Sequence, residues 1–449
     1  MLSKILALIK NKHFLSLSGN IIMSGLGMLT LAIMYRALTL KEMGIWGLFQ
    51  GTILFVDTFR SGFLTTAFIK FYSGTSKERA TEIIGSTWFI ALGITLTLIL
   101  LNLPMLFFLG FVADVGYVMF FKYFGLTYIL SLPWFVATCV LQGDQRFDRL
   151  LYVRLVNQGS YIIFVLTLII MGKASLVTVV YAFLLSHTVT SLYTIFKGWT
   201  RFGAFKFRAK ATISEIFHFG KMSVGTTLSS NMFRYSDTTI INAMLGPSAL
   251  AIYNLGQSLM QLVEIPLRSF AATGMPSLAA AYNQNSRSEV IYIMKKYIGL
   301  LTVILTPAAV VAVILADVPI YLMGGGKYVG TEAANVFRLL MTFALLFPAD
   351  RFFALTLDVI HKPNINFYKV LVMLAGNIIF DIVGVLVFHN IYGIALATIV
   401  PTFIGVTIGY NALKRYHYFS FPSVFTLGIS EAKMYIAQMR DKMRKKNPA

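Results

Sequence analysis

At three points in an otherwise apolar chain, an acid and an arginine lie one helical turn apart: Asp57 and Arg60, Arg234 and Asp237, Glu264 and Arg268. Residues three or four apart share a helix face, so each pair either neutralises itself or offers two opposite charges to a common partner. The chemistry open to such pairs is ionic. A guanidinium fork grips phosphate through paired hydrogen bonds and never deprotonates, while a carboxylate beside it can take up a proton or a sodium ion, or simply offset the arginine's burial. Lys221 and Arg338 add cations within apolar stretches, with Arg351 and Lys369 as intermediate cases; Arg36, Lys122 and Arg154 fall near predicted helix ends, where long side chains snorkel. Bond-making chemistry has no comparable signal. The 6 histidines, His13, His187, His218, His361, His389 and His417, show no HExxH-type spacing, and "MGGGKYVG" at 323–330 fails the GxxxxGK[ST] pattern and reads as a turn. A single cysteine, Cys139, excludes an internal disulfide and a CxxC metal site, and is expected to be a small buried hydrophobe. No catalytic residue, metal or cofactor is expected.

The elements that carry these charges must be membrane helices. Hydrophobic residues make up 57% of the chain and charged ones 12%, with mean hydropathy +0.74, far from the usual soluble balance of about 25% charged. A spanning helix needs about 20 apolar residues, and cutting at polar breaks predicts twelve, give or take one or two: near 15–38, 45–71, 83–108, 118–141, 150–171, 175–197, 214–245, 249–272, 291–315, 332–357, 364–388 and 391–413. Continuous apolarity, without ten-residue alternation, favours helices over a barrel. The opening "MLSKILALIKNKHF" leads into an apolar segment with no cleavage pattern and reads as an uncleaved first span, so the mature protein is expected to be the whole chain. No loop is long enough for a soluble catalytic module.

Lys and Arg divide unequally between the two sets of connections. One side collects Lys4, Lys10, Lys12, Lys77, Arg79, Arg146, Arg149, Lys197, Arg201, Lys206, Arg208, Lys210, Arg287, Lys362 and a basic C-terminus; the other holds Lys41, Lys173 and Lys327. Both termini are therefore expected in the cytoplasm. The net charge of +20 follows from this topology, and nucleic-acid binding is not expected. The connection "GWTRFGAFKFRAKATIS" mixes cations with aromatics, suiting an interfacial segment on anionic lipid, and divides the chain in two. The expected organisation is an N-terminal six-helix bundle at 1–199, a basic linker at 200–213, a C-terminal bundle at 214–413 and a basic amphipathic tail at 414–449, the last suited to a helix on the inner leaflet or to a solvated topogenic tail.

The halves carry an internal repeat, a recurring transporter device. When "GIWGLFQGT" from Gly44 is laid on "AIYNLGQSL" from Ala251, Ile45, Leu48 and Gln50 match Ile252, Leu255 and Gln257, and Trp46 meets Tyr253. The same register lays Asp57 on Glu264 and brings Arg60 within one position of Arg268's counterpart. The stretch "LSLSGNIIMSGLGMLTLAIMYRALTLKEMGIWGLFQGTILFVDTFRSGF" and the later "MLGPSALAIYNLGQ" resemble the polysaccharide-transport branch of the multidrug, oligosaccharidyl-lipid and polysaccharide exporter superfamily.

That resemblance implies two six-helix bundles opening alternately to either side, with the first two helices of each bundle lining a central cavity, and a bacterial inner-membrane flippase for lipid-linked O-antigen or a related glycan of lipopolysaccharide. Burial energetics agree with a cavity: a charge at the bilayer centre costs about 2.5–3.5 kcal/mol on insertion scales and normally faces a bundle interior or water. The expected substrate is a polyprenyl-diphosphate-linked oligosaccharide, its diphosphate met by Arg60, Arg234, Arg268, Lys221 and Arg338. Asp57, Asp237 and Glu264 would then pair charges or couple Na+ or H+. Tyr35, Trp46, Tyr235 and Tyr253 are candidates for stacking on sugars, and Asn157, Asn231 and Asn242 for selectivity. Anionic membrane lipids are further expected partners, and a monomer suffices. Moving one negative charge outward along a 100 mV inside-negative potential yields about 2.3 kcal/mol, which favours export. A drug or cation antiporter of the same superfamily would need a mainly acidic cavity; a glycan polymerase or ligase would need a large periplasmic loop.

Overall fold

The computed structural model describes residues 12–446, so Lys4 and Lys10 of the topology argument lie outside the described residues. Among those described, the chain is helical throughout, with short 3-10 turns and no strand. It divides into two compact helical units. The first runs to Asn242 and adds the short pieces Gly246–Ala251 and Met323–Gly325; the second takes the remainder.

In the first unit, α1 (Lys12–Ala37), α2 (Leu40–Tyr72), α3 (Lys77–Phe107), α4 (Val115–Gly143), α5 (Phe147–Ile170) and α6 (Leu176–Phe196) correspond to the first six expected spans. Polar caps set several of their starts. Thr39 and Glu42 form a reciprocal capping box at α2, the Asp114 carboxylate accepts from the Gly116 and Tyr117 amides at α4, and Ser175 caps α6. Helix α4 is the hub, packed by α2, α3 and α6. Its Leu132, Phe135, Val136 and Cys139 join Leu64, Phe68, Ile84 and Trp88 in one core, so Cys139 is the buried apolar residue expected. A 3-10 turn over Phe202–Phe207 closes on α3, where the Trp88 indole donates to the Thr200 carbonyl at 2.9 Å.

The seventh span is α7 (Lys210–Leu245), and its contacts group it with the first unit. It runs antiparallel to α2. Phe63 meets Phe217, Asn231 donates to Thr58 at 3.2 Å, and Phe55 stacks on Tyr235 with ring centroids 4.2 Å apart. At the end of this seam a methyl group on Gly44 would fall 1.6 Å from the Pro247 carbonyl oxygen, so only glycine fits.

The second unit contains α9 (Gln261–Asn283), α10 (Arg287–Ile314), α11 (Asp317–Gly324), α12 (Ala333–Phe343), α13 (Phe347–Val359), α14 (Pro363–Phe388), α15 (Ile391–Ala397), α16 (Ile399–Tyr416) and α17 (Pro422–Lys446), with α8 (Pro247–Leu259) passing into it at Ile252. Ten helices among the described residues are long and apolar enough to cross a membrane. The expected spans that fall short are the seventh and eighth. Helix α7 carries Lys210, Glu215, Lys221, Arg234 and Asp237, while the eighth span is broken at Met260 into α8 and α9. The stretch 323–330 forms a helix end and a 3-10 turn. The tail is not free of the bundle: α17 packs along α10, where Gly428 lies against Gly299 so closely that a methyl on either would come within about 2.5 Å of the other's backbone. Glu431 then pairs with Lys296 at 2.7 Å and accepts from the Tyr292 hydroxyl at 2.6 Å, contacts that hold its carboxyl below the usual range.

Candidate functional site

Asp57 and Arg60 sit on the side of α2 turned away from α7 and towards α4. The Arg60 Nε and Nη2 donate to Asp57 Oδ1 at 3.1 and 2.7 Å. Its Nη2 also donates to Ser131 Oγ at 3.0 Å and its Nη1 to the Tyr128 carbonyl at 3.3 Å. The rings of Tyr128 and Phe135 lie 4.5 and 4.6 Å from the guanidinium carbon. Arg60 is 3% exposed. Its fork is filled by protein, and its cationic plane is covered by aromatic faces that stabilise it by about 1–2 kcal/mol each when desolvated. Asp57 differs: its side chain is 29% exposed and only Oδ1 receives the arginine. The pair is therefore a sealed cation presenting a half-exposed carboxylate.

The cations of α7 are arranged the other way. Arg234 and Lys221 are exposed, and neither side chain makes an ion pair among the described residues. Asp237, one turn from Arg234, is buried at 7% exposure. Arg234 directly precedes Tyr235, whose ring is stacked on Phe55. In the second unit Arg268 and Glu264 pair along α9 at 2.5 Å, with side chains 75% and 45% exposed. A pair so open adds little stability, and its charges remain available.

Arg338, on α12, is fully engaged in a different place. Its Nε donates to the Val313 carbonyl at 3.0 Å, Nη1 to Asn335 at 2.7 Å and Nη2 to Asp317 at 2.5 Å, which clamps α12 to the end of α10. The aromatic residues selected for sugar stacking are also otherwise used: Tyr35, Trp46 and Tyr253 are 1%, 5% and 1% exposed, and Tyr235 is stacked. Asn242 donates to Asp114, Asn231 to Thr58, and Asn157 to Thr190, so each ties helices together within the first unit.

A buried ion pair in the second unit carries no spacing signal. Lys369 on α14 donates to Asp350 on α13 at 2.7 Å, with Lys369 2% and Asp350 28% exposed. It repeats the Arg60–Asp57 arrangement, a sealed cation under a half-exposed acid, but its partners lie on different helices. An apolar run interrupted by one lysine was the only hint available. Asp381, fully buried on α14, accepts from Asn377 one turn earlier at 2.8 Å. No cluster of three or more metal-ligating side chains occurs among the described residues.

A family model described as "Polysaccharide biosynthesis protein" matches residues 9–279. The chain is 21% identical over 404 residues to the probable low-salt glycan biosynthesis flippase Agl15 of Haloferax volcanii, covering 89% of this chain and 81% of that protein. Its fold is similar to an inward-facing multidrug resistance MATE family transporter of the MOP superfamily, with TM-score 0.73 and 16% identity over 88% of this chain and 96% of the other. It is equally similar to the lipid II flippase MurJ in an inward closed conformation, with TM-score 0.72 and 16% identity over 94% and 92%.

Proposed function

The chain belongs to the polysaccharide biosynthesis protein family, and from that premise we propose that it flips a polyprenyl-diphosphate-linked oligosaccharide from the cytoplasmic to the outer leaflet by alternating access. It is a multi-pass membrane transporter of the polysaccharide flippase branch rather than an enzyme. The proposed setting is the cytoplasmic membrane of a bacterium, with both ends of the chain inside and O-antigen or a related glycan as cargo. The two proposed bundles are the six-helix halves that the repeat defines, joined by the 200–213 linker and followed by the 414–449 tail.

The observation that carries the proposal is Arg234, a guanidinium exposed well within α7 and free of any ion pair among the described residues. An unpaired cation inside a membrane is stable only beside water or an anion, and a diphosphate supplies the anion that a planar fork grips best. Lys221 and Arg268 are proposed to act with it. Arg60 and Arg338, their donors already taken, are proposed to anchor helices instead of touching substrate. Asp57 is the proposed coupling carboxylate for H+ or Na+; Asp237 and Glu264 are proposed to balance the cations beside them. A drug or cation antiporter would need a mainly acidic cavity, whereas the exposed Arg234 and Lys221 carry no ion pair among the described residues and Asp237 is buried.

The test is Arg234→Ala, scored as lipid-linked glycan delivered to the outer leaflet per molecule of inserted protein. Abundance should stay near wild type and delivery should fall at least tenfold, a loss of about 1.4 kcal/mol or more. Wild-type delivery would remove the cationic site from the proposal.

A further inference from the structure

A cavity of about 750 Å³ opens in the first unit between α3, the linker and the start of α7, lined by Lys206, Arg208, Lys210, His218, Phe89 and Phe217 among others. No carboxylate lines it. Other arginines of the adjoining connections are matched by acids: Arg79 holds Glu82 and Glu215, Arg201 holds Asp144, and Arg146 holds Asp148. Lys206, Arg208 and Lys210 make no ion pair among the described residues. Arg208 is nonetheless held in place, and the Lys206 ammonium lies 5.2 Å from the Phe207 ring. The Ala209 amide donates to Ser86 Oγ on α3 at 3.3 Å, and the Arg208 guanidinium lies 4.8 Å from the Phe205 ring and 5.7 Å from that of Phe89. Cations without counter-charge around one hollow, two of them resting on aromatic rings, are arranged for an anion that comes from outside the chain.

The hollow continues into an apolar track. Phe89 is 44% exposed and begins a stripe on α3 that runs through Leu92, Leu96, Leu100 and Leu103, each at least 36% exposed. Steps of three and four residues keep the stripe on one helix face, and its length, roughly 20 Å at 1.5 Å per residue, exceeds the roughly 15 Å half-thickness of a hydrocarbon core, so an acyl chain confined to one leaflet can follow it along its whole length. A soluble anion would need the cations but not the track. We propose that this cavity is a binding site for an anionic phospholipid, its headgroup phosphate between Lys206, Arg208 and Lys210 and one acyl chain along the α3 stripe. The site is independent of the cargo: it stands or falls without reference to which glycan is moved.

Full-length protein in phosphatidylcholine nanodiscs is titrated with dimyristoyl-phosphatidylglycerol, and the rise in thermal midpoint gives an apparent affinity, since a ligand that binds the folded state stabilises it by mass action. A cation near an anionic headgroup contributes about fivefold. Lys206→Gln and Lys210→Gln should therefore each weaken binding about fivefold, and the triple variant with Arg208→Gln on the order of a hundredfold. Lys295→Gln with Lys414→Gln and Arg415→Gln removes equal charge elsewhere and should leave binding within about twofold. Equal weakening by this control would overturn the site in favour of general surface charge. Inorganic phosphate stabilising as well as the phospholipid at equal concentration would overturn the lipid assignment. Farnesyl diphosphate binding more than tenfold tighter, and losing that advantage in the triple variant, would reassign the cavity to a prenyl diphosphate carrier. The single variants change exposed side chains, so they keep the test informative if the triple variant accumulates poorly.

Discussion

Neutralising both members of the Asp57–Arg60 pair should restore the stability that neutralising either one removes, without restoring transport. Asp57→Asn leaves a guanidinium at 3% exposure with no counter-charge, a loss of about 3–5 kcal/mol. Arg60→Met removes the donors to Asp57, Ser131 and the Tyr128 carbonyl together with two ring contacts. The acid it strands is 29% exposed and can hydrate or protonate, so the loss belongs at the lower end, about 3 kcal/mol. The double variant carries no charge at all, and exchanging a buried pair for neutral groups is often close to neutral, so it should stay within about 2 kcal/mol of wild type. The coupling energy is then about 3 kcal/mol or more. Unfolding by SDS in mixed micelles measures stability, and outer-leaflet glycan per inserted molecule measures transport. Additive losses would refute the paired burial, and full transport by the stable double variant would leave Asp57 and Arg60 as a helix lock with no part in coupling.

Gly428→Val places methyl groups where α17 touches Gly299, and the overpacking should lower stability by about 1–3 kcal/mol and speed proteolysis of the tail; an unchanged protease pattern would refute the docked α17. The Glu431 carboxyl is held below its ordinary value by Lys296 and Tyr292, so its contribution is fully present above the ordinary carboxylate range and fades as pH falls through the lowered value. Hydrogen exchange in α17 should therefore rise on acidification below about pH 4.5 in wild type, and Glu431→Gln should flatten that dependence; identical profiles would remove the linkage. A reporter inserted within 201–210 should behave as cytoplasmic and one within 324–329 as external, and the reverse at both sites would invert the topology drawn from Lys and Arg.

The sequence alone was enough for the solvent, the helical class and the family. Each of these is written in composition and local order: apolar runs of spanning length, cations gathered in alternate connections, and the repeated "GIWGLFQGT" and "AIYNLGQSL" motifs. It also identified the helices that bear charge, since charge stands out against an apolar background. What it left undecided was which way each charge faces. In a soluble helix the polar face announces the outside, but in a membrane helix lipid and core are both apolar, so periodicity does not separate them. Arg60 and Arg234 look alike in sequence. One is sealed by Tyr128 and Ser131, 68 and 71 residues further along the chain, and the other stands exposed on α7. The same limit concealed the Lys369–Asp350 pair, whose partners lie on separate helices, and the burial of Tyr35, Trp46 and Tyr253. Only tertiary packing decides such cases, because a guanidinium's role is set by whether other elements of the fold have already filled its donors.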